Sequence, residues 1–245
     1  AATPAQVRFI IDCLENAGVN EIKVYDLIPY DACMEVFSYA KSKGFRISSH
    51  IPLSLDVVEA SNAGLSSMEH MYNLEMSCSS DWDSLLTARR KMIAEGSAKP
   101  GGVLRNEIYT AQRLHAFRTQ SESRRDSVLK TLAKNQTWQV PTLAIIAQEE
   151  HRMFTRKDWM QNYRYLPESV RIDWEKTISA KINIQPSEEG MAHALWAYDM
   201  VPRLAGYGIG IMAGTDMPLE QLTPGFSLHL ELELLVEKVV NVPHR

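Results

Sequence analysis

The sequence predicts an α/β fold in which parallel strands alternate with helices that pack outside the sheet. Two observations support this prediction: short apolar runs alternate with amphipathic helical segments, and the connections between them are short. The chain has 245 residues, of which 45% are hydrophobic and 23% are charged. Because that length and composition can bury a substantial core, we expect one large domain spanning residues 1–245.

The first 70 residues show the clearest strand–helix alternation. Thr3 and Pro4 have the residue types that start a helix, and Gly18 is placed to end it. The following elements are predicted as strands at Glu21–Tyr25, Arg46–His50 and Leu65–His70, and as helices at Asp31–Lys43 and from Leu55 to Gly64.

From Ser77 onwards the pattern becomes mainly helical. A polar loop is predicted at Ser77–Asp83, a break at Lys99–Gly102, amphipathic helices at Arg105–Phe117 and Glu122–Lys134, a fourth strand at Thr137–Thr142, and a last helix at Leu228–Val239. Residues 143–206 are interpreted as a helical insertion. The arginines of the two amphipathic helices fit a solvated charged face; the alternative is contact with a substrate carboxylate (Arg113, Arg118, Arg124 and Arg125).

The stretch Gly208–Pro218 predicts a fifth, buried strand. Its apolar residues are bounded by glycines, and it ends in Thr215 and Asp216. The ends of parallel strands are where barrels and open α/β sheets place their chemistry, which favours a functional Asp216. The alternative is an aspartate that caps the next helix.

Composition and charge exclude several classes of partner. The formal net charge is -4, with 26 basic and 30 acidic residues, which gives no reason to expect nucleic acid or an anionic membrane as partner. No apolar run approaches the roughly 20 residues of a membrane span. The three cysteines lack metal-motif spacing, and the first residues lack the features of a signal peptide. Both cytoplasmic and secreted locations therefore stay open.

Four strands carry a residue that suits a divalent cation: Lys23, His50, His70 and Asp216. The interval from Lys23 to His50 is 27 residues and the interval from His50 to His70 is 20, so each fits one strand–helix step. Side chains at the same end of successive parallel strands converge, and imidazoles with a carboxylate form the usual set for catalytic zinc. The alternatives are a paired or modified Lys23, His50 as a helix cap, and His70 as a core histidine.

Four short motifs resemble the metal-dependent amidohydrolase superfamily, in its imidazolonepropionase-like and Xaa-Pro or Xaa-Arg dipeptidase-like branch. The motifs are Ile22-Lys23-Val24, Ser49-His50-Ile51, Met68-Glu69-His70 and Ala213-Gly214-Thr215-Asp216, and the segment from Thr223 to Leu235 is similar to the helix after the last barrel strand. The resemblance implies part of a (β/α)8 TIM barrel, with outer helices and helical insertions, that binds one or two divalent metal ions, usually zinc.

The resemblance also implies a role for each matching residue. Lys23 would be the carboxylated lysine that bridges two metals, and His50 and His70 would ligate the second metal. Asp216 would bind the first metal and move a proton. The expected reaction is hydrolysis of an amide, peptide or cyclic amide bond in a small-molecule substrate, by a metal-activated water.

One departure from the family pattern concerns the first metal position. The family's first strand carries a His-x-His pair, and the sequence has none. On this interpretation the chain holds barrel strands four to eight, without strands one to three and the small β domain, and its exposed sheet edges predict self-association into a homo-oligomer. The alternative function is a truncated barrel or binding module without activity.

Other candidate residues and functions receive less support. Tyr72 is a candidate for lining the substrate pocket because it closely follows His70, and His229 is a second candidate for substrate contact because it follows the Asp216 strand. Three further histidines are expected to be structural or exposed: His115, His151 and His193. A serine hydrolase is excluded because Gly-x-Ser-x-Gly is absent, and dinucleotide binding because the Gly206–Gly210 glycines precede a strand.

Overall fold

The computed structural model describes residues 3–151 and 156–240. These residues form two compact units. The first unit contains the described residues up to Val140 together with Leu204–Ile211, and the second contains Pro141–Arg203 and the described residues from Met212 onwards. Among the described residues, no helix is both long and apolar enough to cross a membrane.

The first unit is built on a parallel sheet with the order β1-β2-β3-β4. The strands are β1 Glu21–Val24, β2 Arg46–Ser49, β3 Ser67–Glu69 and β4 Trp138–Val140. In this register Val24 is opposite Ser49, and Ser49 is opposite Met68. All neighbouring pairs are parallel, as predicted from the strand–helix alternation.

Helices surround the sheet in the first unit and account for most of its residues. They are α1 Pro4–Asn16, α2 Tyr30–Ser42, α3 Val57–Ala63, α4 Leu74–Ser77, α5 Trp82–Glu95, α6 Gly101–Arg118 and α7 Glu122–Asn135. The sequence encodes the helix starts locally: the Thr3 hydroxyl accepts a hydrogen bond from the Gln6 N–H, and the Asp56 carboxylate accepts one from the Val58 N–H. Side chains of the sheet and of α2 are fully buried, among them Ile47, Met68 and Phe37, all 0% exposed.

The second unit is helical in its described residues. Its helices are α8 Leu143–His151, α9 Lys157–Met160, α10 Glu168–Lys181, α11 Glu188–Gly206 and α12 Phe226–Val240, with 3-10 helices at Gln161–Tyr165 and Leu219–Gln221. The last three residues of α11 belong to the first unit. Helix α12 packs against α8. Trp174 and Tyr163 are both buried in this unit, and their rings meet edge to face at 5.2 Å.

Two sequence predictions differ from the structure. Trp82–Glu95 is a helix of 14 residues that the sequence did not predict, and Ser77 and Ser79 in the predicted polar loop are buried. The predicted buried strand at Gly208–Pro218 is reduced to one parallel bridge, between Gln139 and Ile211. There the chain passes so close to the Trp138 ring that a Cβ on Gly210 would lie 2.3 Å from it. Glycine permits this approach but weakens a strand, because it adds no side chain to pack.

Candidate functional site

The structure brings His50 and His70 together where β2 and β3 end. His50 follows directly after β2 and His70 directly after β3, and both are buried, with 5% and 4% exposed. Their Nε2 atoms are 3.1 Å apart. The backbone of His70 has φ 61°, a conformation that is rare for residues other than glycine and that clusters at functional sites. Adjacent parallel strands thus deliver two imidazole nitrogens to one point, as the 20-residue interval predicted.

Aromatic rings enclose the histidine pair. Tyr25, which follows β1, lies with its ring centroid 4.4 Å from that of His50. Tyr72 lies 5.0 Å from His70 and 5.7 Å from His50. Tyr109 of α6 is 6.0 Å from Tyr72 and extends the aromatic wall. Tyr72 thus lies beside the histidine pair, while its role in lining a substrate pocket stays a prediction.

Burial changes the protonation of His50. Desolvation, together with the positive charges of His70, Lys23 and Arg105, lowers the pKa of His50 to about 3. His50 is therefore neutral near pH 7, the form in which imidazole binds a metal. Its Nδ1 atom is buried and has no hydrogen-bond partner among the described residues.

A buried basic cluster lies beyond the tyrosines. The Arg113 guanidinium is 3.3 Å from the Glu75 carboxylate and lies over the rings of Tyr72 and Tyr109. Arg89 is 0% exposed and donates hydrogen bonds to the side chains of Asn73 and Gln112, each at 2.7 Å. The prediction of a solvated face is therefore wrong for Arg113, and also for Arg125, which is buried. Arg113 packs inward because Tyr109 and Phe117, four residues away on either side, share its helix face.

Lys23 differs from its prediction in burial. The sequence predicted a lysine buried in an apolar strand, but the side chain is exposed because β1 is the outer strand of the described sheet. Its ammonium lies 5.7 Å from the Tyr25 ring centroid, and its charge acts on His50. Lys23 is therefore on the same side of the sheet as the histidine pair, while its role as a carboxylated ligand stays a prediction.

Asp216 and His229 belong to the second unit. Asp216 is exposed and has φ 49°, and His229 is exposed on α12. Both proposed roles therefore stay predictions. The three further histidines named from the sequence differ in their surroundings. His115 makes a 2.7 Å contact with Asp81, His193 is buried, and the side chain of His151 lies outside the described residues.

Glu231 is a buried acidic group that the sequence analysis did not select. It is 0% exposed on α12, and one of its carboxylate oxygens accepts a 2.7 Å hydrogen bond from the Ala144 N–H at the start of α8. Desolvation raises the pKa of Glu231 to about 7, although hydrogen bonds from the backbone oppose the shift. The sequence signal that could have identified it is a single acidic residue in line with the apolar face formed by Leu230 and Leu234.

The spacing of the histidine pair suits two ligands of one metal ion. Zn–N bonds of about 2.0–2.1 Å place two ligands of a tetrahedral zinc roughly 3.3 Å apart, close to the 3.1 Å observed between the Nε2 atoms. His50 and His70 therefore fit two positions on one ion. Within residues 3–151 and 156–240, no group of three His, Cys, Asp or Glu side chains is placed to hold a metal. A complete site requires a further ligand, such as a carboxylated lysine or a residue from another part of the protein.

Comparison with known proteins shows the fold class. No family model and no curated protein matches the sequence. Among solved structures, the chain is similar over its whole length to bottromycin amidohydrolase, with 18% identity, a TM-score of 0.66 and 47% of that protein covered. It is also similar to a Xaa-Pro dipeptidase with methionine bound in its active site (15% identity, TM-score 0.51) and to A. niger ochratoxinase (14%, 0.51), over 99% of this chain.

These similarities confirm the predicted α/β fold, in which an open parallel sheet with outer helices corresponds to part of a barrel. The chain spans less than half the length of each of these three structures, covering 44% of the dipeptidase and 40% of the ochratoxinase.

Proposed function

We propose that this chain is the histidine-bearing part of a metal-dependent amidohydrolase that cleaves an amide or peptide bond. The observation that carries the proposal is the 3.1 Å separation of the His50 and His70 Nε2 atoms at the ends of neighbouring parallel strands. The similarity to solved amide-hydrolysing proteins supports the same class.

In this proposal His50 and His70 hold one divalent cation, with zinc the expected ion. When bound, the cation would supply a water of lowered pKa and would polarise the carbonyl of the substrate. The His50 imidazole can hold it near pH 7 without first losing a proton, because burial keeps His50 neutral. Tyr25 and Tyr72 restrict access of bulk water to the pair, since their rings pack directly against it. Lys23 as a carbamate, Asp216 as the proton-transferring group and His229 as a substrate contact complete the proposal.

The experiment is a zinc titration of the metal-free chain and of His50→Ala and His70→Ala, followed by competition with a chromophoric chelator. We expect about one equivalent of zinc in the parent chain and at least a 100-fold loss of affinity in each variant, because each removes one of a few ligands. His115→Ala is the matched control, because it removes an exposed histidine that pairs with Asp81. Unchanged zinc affinity in both site variants would show that the ligand assignment is wrong.

A second candidate is a binding module that keeps the fold without hydrolysing a substrate. Two observations favour it: Lys23 is exposed, and His50 Nδ1 has no acceptor among the described residues, although metal-ligating imidazoles usually donate their second N–H. Hydrolysis of dipeptides by the zinc-loaded chain distinguishes the two candidates. Zinc binding without turnover favours the binding module, whereas turnover that Asp216→Asn removes supports the hydrolase.

A further inference from the structure

A buried amide joins the two loops that carry the histidine pair. Asn73 lies in the turn after β3, three residues beyond His70, and it is 0% exposed. Its Nδ2 atom donates a 2.7 Å hydrogen bond to the carbonyl oxygen of Ile51, the residue that follows His50. The loop after β3 is therefore tied to the loop after β2 beside both histidines.

The sheet holds the two histidines from opposite sides. The paired register of β2 and β3 ends before either histidine is reached. The His50 N–H donates a 3.2 Å hydrogen bond to the carbonyl of Val24 in β1, whereas the His70 N–H donates a 2.8 Å bond to the carbonyl of Val140 in β4. These two backbone bonds lead away from each other, and the side chain of Asn73 supplies a link between the loops.

Asparagine also suits the backbone of this turn. His70, Met71 and Asn73 have φ values of 61°, 54° and 70°, in the left-handed region. Residues other than glycine persist there where the surrounding structure imposes the conformation. Asparagine tolerates it better than most residues do. Asn73 thus combines tolerance of the left-handed conformation with a side-chain anchor for the turn.

The buried guanidinium of Arg89 orients the Asn73 amide. Arg89 donates 2.7 Å hydrogen bonds to the Oδ1 atom of Asn73 and to the Oε1 atom of Gln112. Because a guanidinium has donors only, it holds the Asn73 oxygen toward itself and leaves the amide NH2 directed at Ile51. Gln112 is bound in the same way, but its Nε2 atom donates a 2.8 Å hydrogen bond to the carbonyl of Leu85 in α5. The two amides share one guanidinium, and it is Asn73 that bonds to a histidine loop.

We propose that Asn73 is a positioning residue that sets the spacing of the His50 and His70 imidazoles and, through it, the affinity of the pair for a divalent cation. The effect on the cation rests on the proposed function, whereas the effect on the spacing does not. Hydrogen bonds outside the ligand set determine how ligating imidazoles are oriented. With its loops joined, the pair keeps its Nε2 atoms 3.1 Å apart without a cation, so that binding requires little rearrangement.

The variant Asn73→Asp separates the hydrogen bond to Ile51 from the other roles of this side chain. The carboxylate has nearly the same shape, tolerates a positive φ and accepts from Arg89, but it has no N–H to donate to the Ile51 carbonyl. Gln112→Glu is the matched control, because it makes the same change beside Arg89 and removes the bond to Leu85. The two variants differ in whether the lost bond reaches a histidine loop.

The first measurement is the nuclear Overhauser effect between the ring protons of His50 and His70 in the metal-free chain. With the Nε2 atoms 3.1 Å apart, the carbon-bound protons beside them lie close enough to give this effect. We expect the effect at equal intensity in the parent chain and in Gln112→Glu, and a loss of intensity in Asn73→Asp. If Asn73→Asp does not fold, Asn73→Gly carries the same comparison against Gln112→Ala, because glycine adopts a positive φ without strain.

The second measurement is zinc affinity, by competition with a chromophoric chelator. Asn73→Asp should bind zinc about tenfold or more weakly than the parent chain, whereas Gln112→Glu should bind it equally well. Both are compared under conditions in which urea titration shows them to be folded, so destabilisation does not account for the difference.

Two results would overturn the positioning role of Asn73. One is an Overhauser effect in Asn73→Asp equal to that of the parent chain, and the other is an equal loss of zinc affinity in Asn73→Asp and Gln112→Glu. A parent chain that shows the Overhauser effect but binds no zinc would instead refute the proposed function, and the spacing role of Asn73 would stand.

Discussion

The two units bury ionisable side chains in different ways. In the first unit, Arg89 and Arg113 are accompanied by Glu75 and by the amides of Asn73 and Gln112, so buried charges form a hydrogen-bonded network. In the second unit, Glu231 is buried on α12 with backbone N–H groups of α8 as its partners. A network can keep its charges because each ion has partners, whereas a carboxyl group without a nearby cation is driven toward its neutral form.

The same comparison explains the histidine pair. His50 has aromatic rings and cations around it, and burial drives its pKa down, whereas burial drives the pKa of Glu231 up. Both shifts favour the neutral form of the group. For His50 the neutral form is the one that can ligate a metal, and for Glu231 it is one that can donate a hydrogen bond.

Breaking the network in the first unit should give the largest effect on stability. Arg89→Met removes a guanidinium that is 0% exposed and leaves the side-chain oxygens of Asn73 and Gln112 buried without their donor. Each such group costs about 1–3 kcal/mol, so we expect a loss of about 3–5 kcal/mol in the free energy of unfolding in urea. Lys91→Met is the control, because this exposed lysine lies on the same helix. A loss below about 1 kcal/mol for Arg89→Met would contradict a structural role for the network.

The buried carboxyl of the second unit predicts a pH dependence. The folded pKa of Glu231, about 7, lies above its ordinary value of 4.5. Between pH 4.5 and pH 7 the folded chain therefore holds a proton on Glu231 that the unfolded chain has released. The contribution of Glu231 to stability is therefore full below about pH 4.5, falls as the pH rises, and is lost above about pH 7. A shift of this size corresponds to about 3 kcal/mol.

Glu231→Gln should remove that slope, because the amide has the same shape and stays neutral. We expect thermal unfolding of this variant to be less pH-dependent between pH 4.5 and 8 than that of the parent chain. The control is Glu233→Gln, an exposed position on the same helix. If the parent chain and Glu231→Gln show the same slope, the carboxyl does not titrate with a raised pKa.

The sequence predicts features that are local or that repeat along the chain. The helix starts at Thr3 and Asp56 are set by neighbouring residues, and the convergence of His50 with His70 follows from one strand–helix step. Lys23 was predicted to be buried because it lies between apolar residues. Its exposure depends on β1 being an edge strand, which is a property of the sheet rather than of the strand sequence.

Features that depend on distant partners could not be predicted. Arg89 is buried because Asn73 and Gln112, 16 and 23 residues away, accept its hydrogen bonds, and sequence spacing does not indicate that match. In the stretch from Gly208, apolar composition favoured a strand, but glycines at alternate positions reduce what a strand can pack. The site could therefore be predicted as a histidine pair, but not with its wall of Tyr25 and buried arginines.

The smallest effect is expected at Asp56, where a helix cap and an ion pair share one buried carboxylate. Its Oδ2 atom accepts hydrogen bonds from the Val58 N–H at 3.2 Å and from Arg124 at 3.0 Å. Asp56→Ala removes both interactions and should cost about 1–2 kcal/mol in urea unfolding. Asp56→Asn keeps a capping oxygen and removes the charge, so the difference between the two variants isolates the cap. If both variants lose the same free energy of unfolding, the contact with Arg124 stabilises this end of α3 and the cap contributes little. If Asp56→Asn is near neutral, the cap stabilises this end of α3 and the contact with Arg124 contributes little. In that case this ion pair adds far less to stability than the buried network around Arg89.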